Sequence, residues 1–299
     1  MKILDFGSIN KDYVYSVDHI VTPGETISSK SLDTFWGGKG LNQCVALAKA
    51  GSDVYMAGQA FFEDKDEITQ LLAGYAIHSD YMGFCNAPTG HTIIQVDSKG
   101  QNCIVLFPGA NNCNSKEFIE EVLSQFSKGD IILLQNEINH IEYIIDKAFD
   151  KGITIVFNPS PFDNSFFKFQ LHKIGIFILN EVEGTAFTGK SDPNEILKSM
   201  LEIAPSAIIV LTLGKNGVLY MDKNHFYKHG IYNVPVIDTT GAGDAFSGFF
   251  LAAYSSGHDI DYCLKVASIA SSLTVSVKGA TTSIPYMKQV LEAQLVPCP

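Results

Sequence analysis

Residues 238–248 read Asp238-Thr-Thr-Gly-Ala-Gly-Asp244-Ala-Phe-Ser-Gly. The apolar run VPVID reads as a strand entering Gly241-Ala242-Gly243, and DAFSGFFLAAYSS reads as the helix that follows. Glycines at such a junction allow tight turning and leave bare N–H groups at a helix start, where the macrodipole is positive. That chemistry is an anion hole made of backbone. Asp244 then has two readings. It caps its own helix turn, or it is a general base beside the hole, taking a proton from a hydroxyl that attacks phosphate. The spacing fits neither G-x-G-x-x-G, since Phe246 breaks it, nor G-x-x-x-x-G-K-[ST].

Elements that must position these groups follow from hydrophobic patterning. Short apolar runs at Ile3–Ile9, Val54–Gly58, Asp130–Gln135, Thr154–Asn158, Ile174–Asn180 and Ala207–Leu213 read as strands. Between them Gly40–Ala50, Ser115–Ser127, His140–Lys151 and Pro193–Ile203 read as helices, and Ala242–Ser255, Asp259–Lys278 and Pro285–Gln294 make a helical C-terminal part. Near-continuous apolar strands alternating with amphipathic helices predict a parallel sheet covered on both faces, an α/β sandwich with ligands at the strand carboxyl ends. Residues 12–36 and 91–107 instead alternate polar and apolar side chains, as half-exposed antiparallel strands do. They predict a small β-sheet lid whose exposed face also suits a homodimer contact. With no repeat or linker in between, residues 1–299 read as one domain.

Composition narrows the partners. The 299 residues carry 32 acidic against 21 basic side chains, a formal charge of −11, and every basic residue is lysine. Without arginine there is no bidentate guanidinium clamp, and a net-acidic chain lacks the cationic footprint of nucleic-acid binding. No apolar run reaches membrane-spanning length, and MKILDFGSINKDY lacks the form of a signal peptide, so the expectation is a cytoplasmic enzyme without membrane partners. Six scattered cysteines suit free thiols, and His225 and His229 have no third zinc ligand near them in sequence.

Several motifs in order make a resemblance. DTTGAGDAFSGFF and Trp36-Gly-Gly38-Lys39-Gly-Leu-Asn42-Gln resemble the two signatures of the ribokinase (PfkB-type) carbohydrate kinase family. Gly7–Asp12 (GSIN-x-D), Thr22–Glu25 (TPGE), Asn136-Glu137, Asn180-Glu-Val-Glu183, Thr212-Leu-Gly214 and Lys278-Gly-Ala follow the same pattern across nearly the whole chain. The resemblance implies a ribokinase-like three-layer α/β/α sandwich. It implies a sugar held by Asn10, Asp12, Gly38, Lys39, Asn42 and Glu137, residue types rich in the short donors and acceptors that polyols need.

It further implies Asp244 as base with Gly241, Ala242 and Gly243 as anion hole. Asn180 and Glu183 then lie near magnesium and its water shell, and Thr212, Gly214 and Gly217 near ATP. A monovalent cation, potassium, falls to Asp238, Thr240, Thr274, Val277, Gly279 and Ser283. The implied reaction is ATP-dependent phosphorylation of D-ribose at the 5-hydroxyl, with a nucleoside kinase or a non-catalytic sugar sensor as alternatives. One segment departs from the pattern: Gly58-Gln-Ala-Phe-Phe-Glu-Asp64 lacks the later glycines of the family's G-x-x-G-x-D-x-x-G. Phe61, Phe62, Phe35 and Trp36 then either stack on a flat ligand or pack against one another.

Overall fold

The computed structural model describes residues 1–163, 166 and 169–298. The chain begins with β1 (Ile3–Phe6) and leaves the body as β2 (Asn10–Ser16) and β3 (Ser31–Gly37). Helix α1 (Lys39–Lys49) returns it to β4 (Val54–Phe61), α2 (Lys65–Gly74) and β5 (His78–Cys85). A second excursion, β6 (Gly90–Val96) and β7 (Asn102–Phe107), precedes α3 (Lys116–Ser124). Alternation then sets in: β8 (Ile131–Gln135), α4 (Ile141–Asp150), β9 (Thr154–Asn158), β10 (Ile176–Asn180), α5 (Glu181–Thr188), α6 (Pro193–Ile203) and β11 (Ile208–Thr212). A hairpin, β12 (Val218–Met221) and β13 (Phe226–His229), leads to α7 (Ala242–Ser255), α8 (Ile260–Val275) and α9 (Met287–Glu292).

Nine strands form one sheet in the order β13-β12-β11-β10-β9-β8-β1-β4-β5, parallel except at the β12 and β13 edge. Two of its inner strands, β1 and β8, are buried along their whole length, as strands covered on both faces must be. One core cluster joins the sheet to α1, α7 and α8, and the other joins it to α3, α4 and α6. The chain runs from β1 out to β4 on one side and resumes at β8 on the other. That reversal opens a crevice at the carboxyl ends of β1 and β8, where open α/β sheets bind ligands.

Two expectations need correction. The smaller sheet, β3-β2-β6-β7, is not wholly antiparallel: β2 and β6 run parallel from Asn10 and Gly90 outward, because both leave the body at the same edge. The VPVID segment is not a strand. Its residues 237 and 238 donate instead to the Val275 carbonyl at the end of α8, and Pro235 offers no N–H to a sheet ladder.

Helices α1 and α7 pack unusually close at Gly248. A Cβ there would lie 2.4 Å from the Ala46 Cβ and 2.8 Å from the Leu47 nitrogen. Helix propensity alone favours alanine over glycine by about 1 kcal/mol, but overpacking costs about 1–3 kcal/mol. Gly248→Ala is therefore expected to lower the urea midpoint and net stability, and a stabilised variant would contradict this packing.

Candidate active site

The sugar-side residues converge as the crevice requires. Ser8 and Asn10 follow β1, Glu137 follows β8, and Gly38–Gly40 opens α1. Glu137 organises them: its Oε2 accepts from the Ser8 hydroxyl (2.5 Å) and the Lys39 amide (3.0 Å), and Ser8 in turn accepts from the Gly40 amide (3.2 Å). The loop can lie this close only because residue 40 is glycine, as a Cβ there would sit 2.3 Å from the Ser8 nitrogen. Asn10 is almost wholly buried, and its Oδ1 accepts from Asn111 Nδ2 at 2.7 Å, which turns its own amide nitrogen away from Asn111. Asp12, on β2, accepts from the Thr92 hydroxyl on β6.

Helix α1 delivers the next layer. Asn42 Nδ2 donates to Asp244 Oδ2 at 3.0 Å, and Gln43 Nε2 donates to Asp244 Oδ1 at 2.9 Å. Asp244 is thus buried in the first turn of α7, bound through both oxygens by another helix, and does not cap its own turn. Asn42 Oδ1 is buried without a partner, an acceptor left open beside the carboxylate. Gly241 takes the left-handed conformation (φ 73°) that starts α7, and the space above Gly243 is open. First-turn amides at 243 and 244 have no acceptor within their own helix.

Lys39, expected among the sugar-holding residues, also brings a charge to the cavity it shares with Asp244. Its ammonium is half-buried and its electrostatic partners are Asp244, Glu137 and Glu183. Burial pulls its pKa down, and those three carboxylates more than offset this, so the group stays charged.

Two cavities meet at Gly243 and Thr212. One, of about 70 Å³, is lined by Lys39, Asn180, Glu183, Thr212, Gly243 and Asp244. The other, of about 140 Å³, adds Gly214, Gly217, Ala242 and Phe246. Asn180 and Glu183 form a capping box on α5: Asn180 Oδ1 accepts from the Glu183 amide (2.9 Å), and Glu183 Oε2 accepts from the Asn180 amide (3.0 Å). Only the second Glu183 oxygen then remains for an ion's water shell.

The Asp238 loop meets the 274–283 segment. Asp238 accepts from the amides of Thr240 (2.9 Å) and Gly279 (3.0 Å). Burial pushes its pKa up, but these bonds and Lys278 hold it below the usual range. The Ser283 hydroxyl donates to the Gly279 carbonyl at 2.6 Å, the Thr274 hydroxyl is spent on Ala270, and the Val277 side chain is exposed. Oxygen donors here are therefore one carboxylate and backbone carbonyls, a hard-cation set. No group of three His, Cys, Asp or Glu side chains able to hold a metal occurs among the described residues.

Comparison with known proteins now decides the family. The model of the pfkB family of carbohydrate kinases matches residues 2–287. The chain belongs to that family. Among curated relatives, it is 32% identical to the ribokinase of Staphylococcus aureus (97% of this chain, 98% of that protein) and 29% identical to the deoxyribokinase of Salmonella typhi (98% of each). Among solved structures, Arabidopsis thaliana ribokinase complexed with ribose and ATP superposes with a TM-score of 0.83 at 29% identity, over 97% of each chain. The ribokinase-like fold is therefore established, with its large mainly parallel sheet and smaller sheet.

The departing segment does not form a glycine loop. β4 runs on to Phe61 against β5, and Asp64 binds Lys11 (2.6 Å) and the Thr89 hydroxyl (2.6 Å). Trp36 donates to Glu67 at 2.8 Å under the Lys11 ammonium, and Phe61 packs edge-on to Phe62. Trp36 and Phe61 are thus engaged in packing contacts, while Phe35 and Phe62 keep exposed faces. Sequence reasoning missed Ser8, Gln43, Asn111 and Gln135. For Gln135 the signal was available: a carboxamide ending the apolar strand IILLQ.

Burial, and then the nearby Glu137 charge, push Asp12 up to about 6 against the lowering effect of the Thr92 bond. A raised acid favours folding while protonated, so this contribution is present at pH 4 and lost as pH rises to about 6. The stability of Asp12→Asn relative to the native chain should therefore climb between pH 4 and 6 and then level off. A difference independent of pH would contradict the assignment.

Proposed function

We propose that the chain phosphorylates D-ribose on its 5-hydroxyl with ATP, as a cytoplasmic enzyme. The observation that carries the proposal is Asp244, held through both carboxylate oxygens between a glycine helix start and a nest of sugar-type donors and acceptors. Full-length relatives named ribokinase at about 30% identity support the sugar, and the six free cysteines suit the compartment.

Asn10, Asp12 and Glu137 would bind ribose hydroxyls, and the open Asn42 Oδ1 would accept from one beside Asp244. Asp244 takes the 5-hydroxyl proton as that oxygen bonds to the γ-phosphorus. The bond from phosphorus to the β–γ bridging oxygen breaks, and ADP leaves. Amides at 243 and 244 and the Lys39 ammonium face the charge that spreads over the transferring group. Thr212, Gly214 and Gly217 line the nucleotide side.

Magnesium, carried in with ATP and neighboured by Asn180 and Glu183, would neutralise phosphate charge. Potassium would be held by the Asp238 carboxylate and the carbonyls of Thr240, Thr274, Val277 and Gly279, with Ser283 adjacent, adding positive charge behind the anion hole. The smaller sheet would close as a lid over the sugar. Its exposed Leu32, Phe35, Ile93, Ile104, Val105 and Phe107 suit a second copy of the chain, and a monomer in light scattering would remove that assembly.

The test is ADP release with ribose, 2-deoxyribose, fructose, inosine and adenosine, in potassium, sodium and choline salts. Ribose should lead in kcat/KM by about tenfold or more, a gap of about 1.4 kcal/mol, and potassium should give the highest rates. Ribose turned over no better than the nucleosides would defeat the substrate assignment, and equal rates in all three salts would defeat the cation site.

A further inference from the structure

Beneath the pocket lies a row of buried polar side chains that no step above employs. Asp5, within β1, and Gln135, ending the neighbouring β8, are almost wholly excluded from solvent, as is Gln43 on α1. Gln135 Nε2 donates to Asp5 Oδ1 at 3.2 Å and to Gln43 Oε1 at 2.9 Å. Gln43 Nε2 donates to Asp244 Oδ1 at 2.9 Å and to Asn158 Oδ1 at 3.3 Å.

The row has a direction. An ionised carboxylate only accepts, so Asp244 requires the amide nitrogen of Gln43 to face it. Gln43 Oε1 must then point to Gln135, and this fixes the nitrogen of Gln135 in turn. The arrangement is not made for stability, since Asp5 Oδ2 and Gln135 Oε1 are buried with no partner. Burial pushes the Asp5 carboxyl well above its usual range, the Gln135 bond pulls it back, and nearby Asp244 pushes it up. Unpaired groups of this kind are kept where a fixed geometry is needed.

We propose that Gln43 is a positioning residue for phosphoryl transfer: it holds the Asp244 carboxylate at a set angle below the sugar hydroxyl, and Gln135 and Asp5 lock its amide from behind. The proposal rests on the reading of Asp244 as base. Gln43 touches no sugar in this account, so its loss acts on the reaction and not on sugar binding.

Steady-state kinetics with ribose and ATP test it. Gln43→Met, similar in size but unable to donate, should lower kcat by about ten- to a hundredfold, the scale on which misplaced groups cost rate, and leave the ribose KM within about threefold. Gln43→Glu, which keeps the shape and cannot donate when ionised, should lose as much. Gln135→Leu should lose less, and adding it to Gln43→Met should cost nothing more, because the two act in series. Losses that multiply, a kcat unchanged in folded Gln43→Met, or a change in KM alone would each overturn the proposal. Should Gln43→Met fail to fold, Gln135→Leu carries the test, and an unchanged kcat overturns the relay. Asp244→Ala separates the two readings. If it still turns over, the base assignment falls; if it is inactive while Gln43→Met runs at the native rate, only the positioning role falls.

Discussion

Helices α1 and α7 approach so closely at Gly248 that the backbone of one meets the side chains of the other. The rest of the site depends on that contact. About one turn of helix away on either side, Asn42 and Gln43 extend from α1 to the Asp244 carboxylate at the start of α7. The sugar-side loop, Gly38–Gly40, opens the first helix, and the anion hole, Gly241–Gly243, opens the second. Moving the helices apart by one methyl group would separate acceptor from donor. Chemistry of this kind needs reacting groups held to within a fraction of an ångström, and a packed interface supplies that more firmly than a loop does.

The same geometry has a thermodynamic cost. Asp5, Asn42 and Gln135 each carry a buried polar atom without a partner, and each such atom costs about 1–3 kcal/mol. Asp12, raised to about 6, is ionised at neutral pH against the preference of its surroundings. Two extended apolar clusters, one on each face of the nine-stranded sheet, offset these terms. Asn42 Oδ1 and Asp12 thus lie where substrate would complete them, and Asp5 and Gln135 lie directly behind, as expected of a site built for function and not for stability.

Much of this was legible in the sequence, and the pattern of what was not is physical. The parallel sheet showed as near-continuous apolar runs, and the glycine turns showed as ordered motifs, because both are local. VPVID has strand composition yet joins no sheet, since its docking on the Val275 carbonyl at the end of α8 is a tertiary fact. The parallel β2–β6 pair was hidden because only the fold reveals that both strands leave from one edge. Gln43, Gln135 and Asn111 act through partners about 90 to 200 positions away, a span that spacing cannot encode. Lys39 was visible as a residue but not as a charge, because its three carboxylate neighbours come from three other segments.

In the proposed reading, a chain with no arginine and a charge of −11 would handle phosphate through helix-start amides, one lysine and ions. Such a centre would separate binding from reaction: the sugar would be held by Asn10, Asp12, Asn42 and Glu137, and the proton would be taken by Asp244. Calorimetric titration of ribose into Asp244→Asn, with single-turnover transfer from ATP measured on the same sample, tests that separation most directly. The account predicts ribose affinity within about threefold of native and a transfer rate lower by about a thousandfold or more, a barrier increase of about 4 kcal/mol. Native transfer rates, or loss of ribose binding in a folded variant, would contradict it.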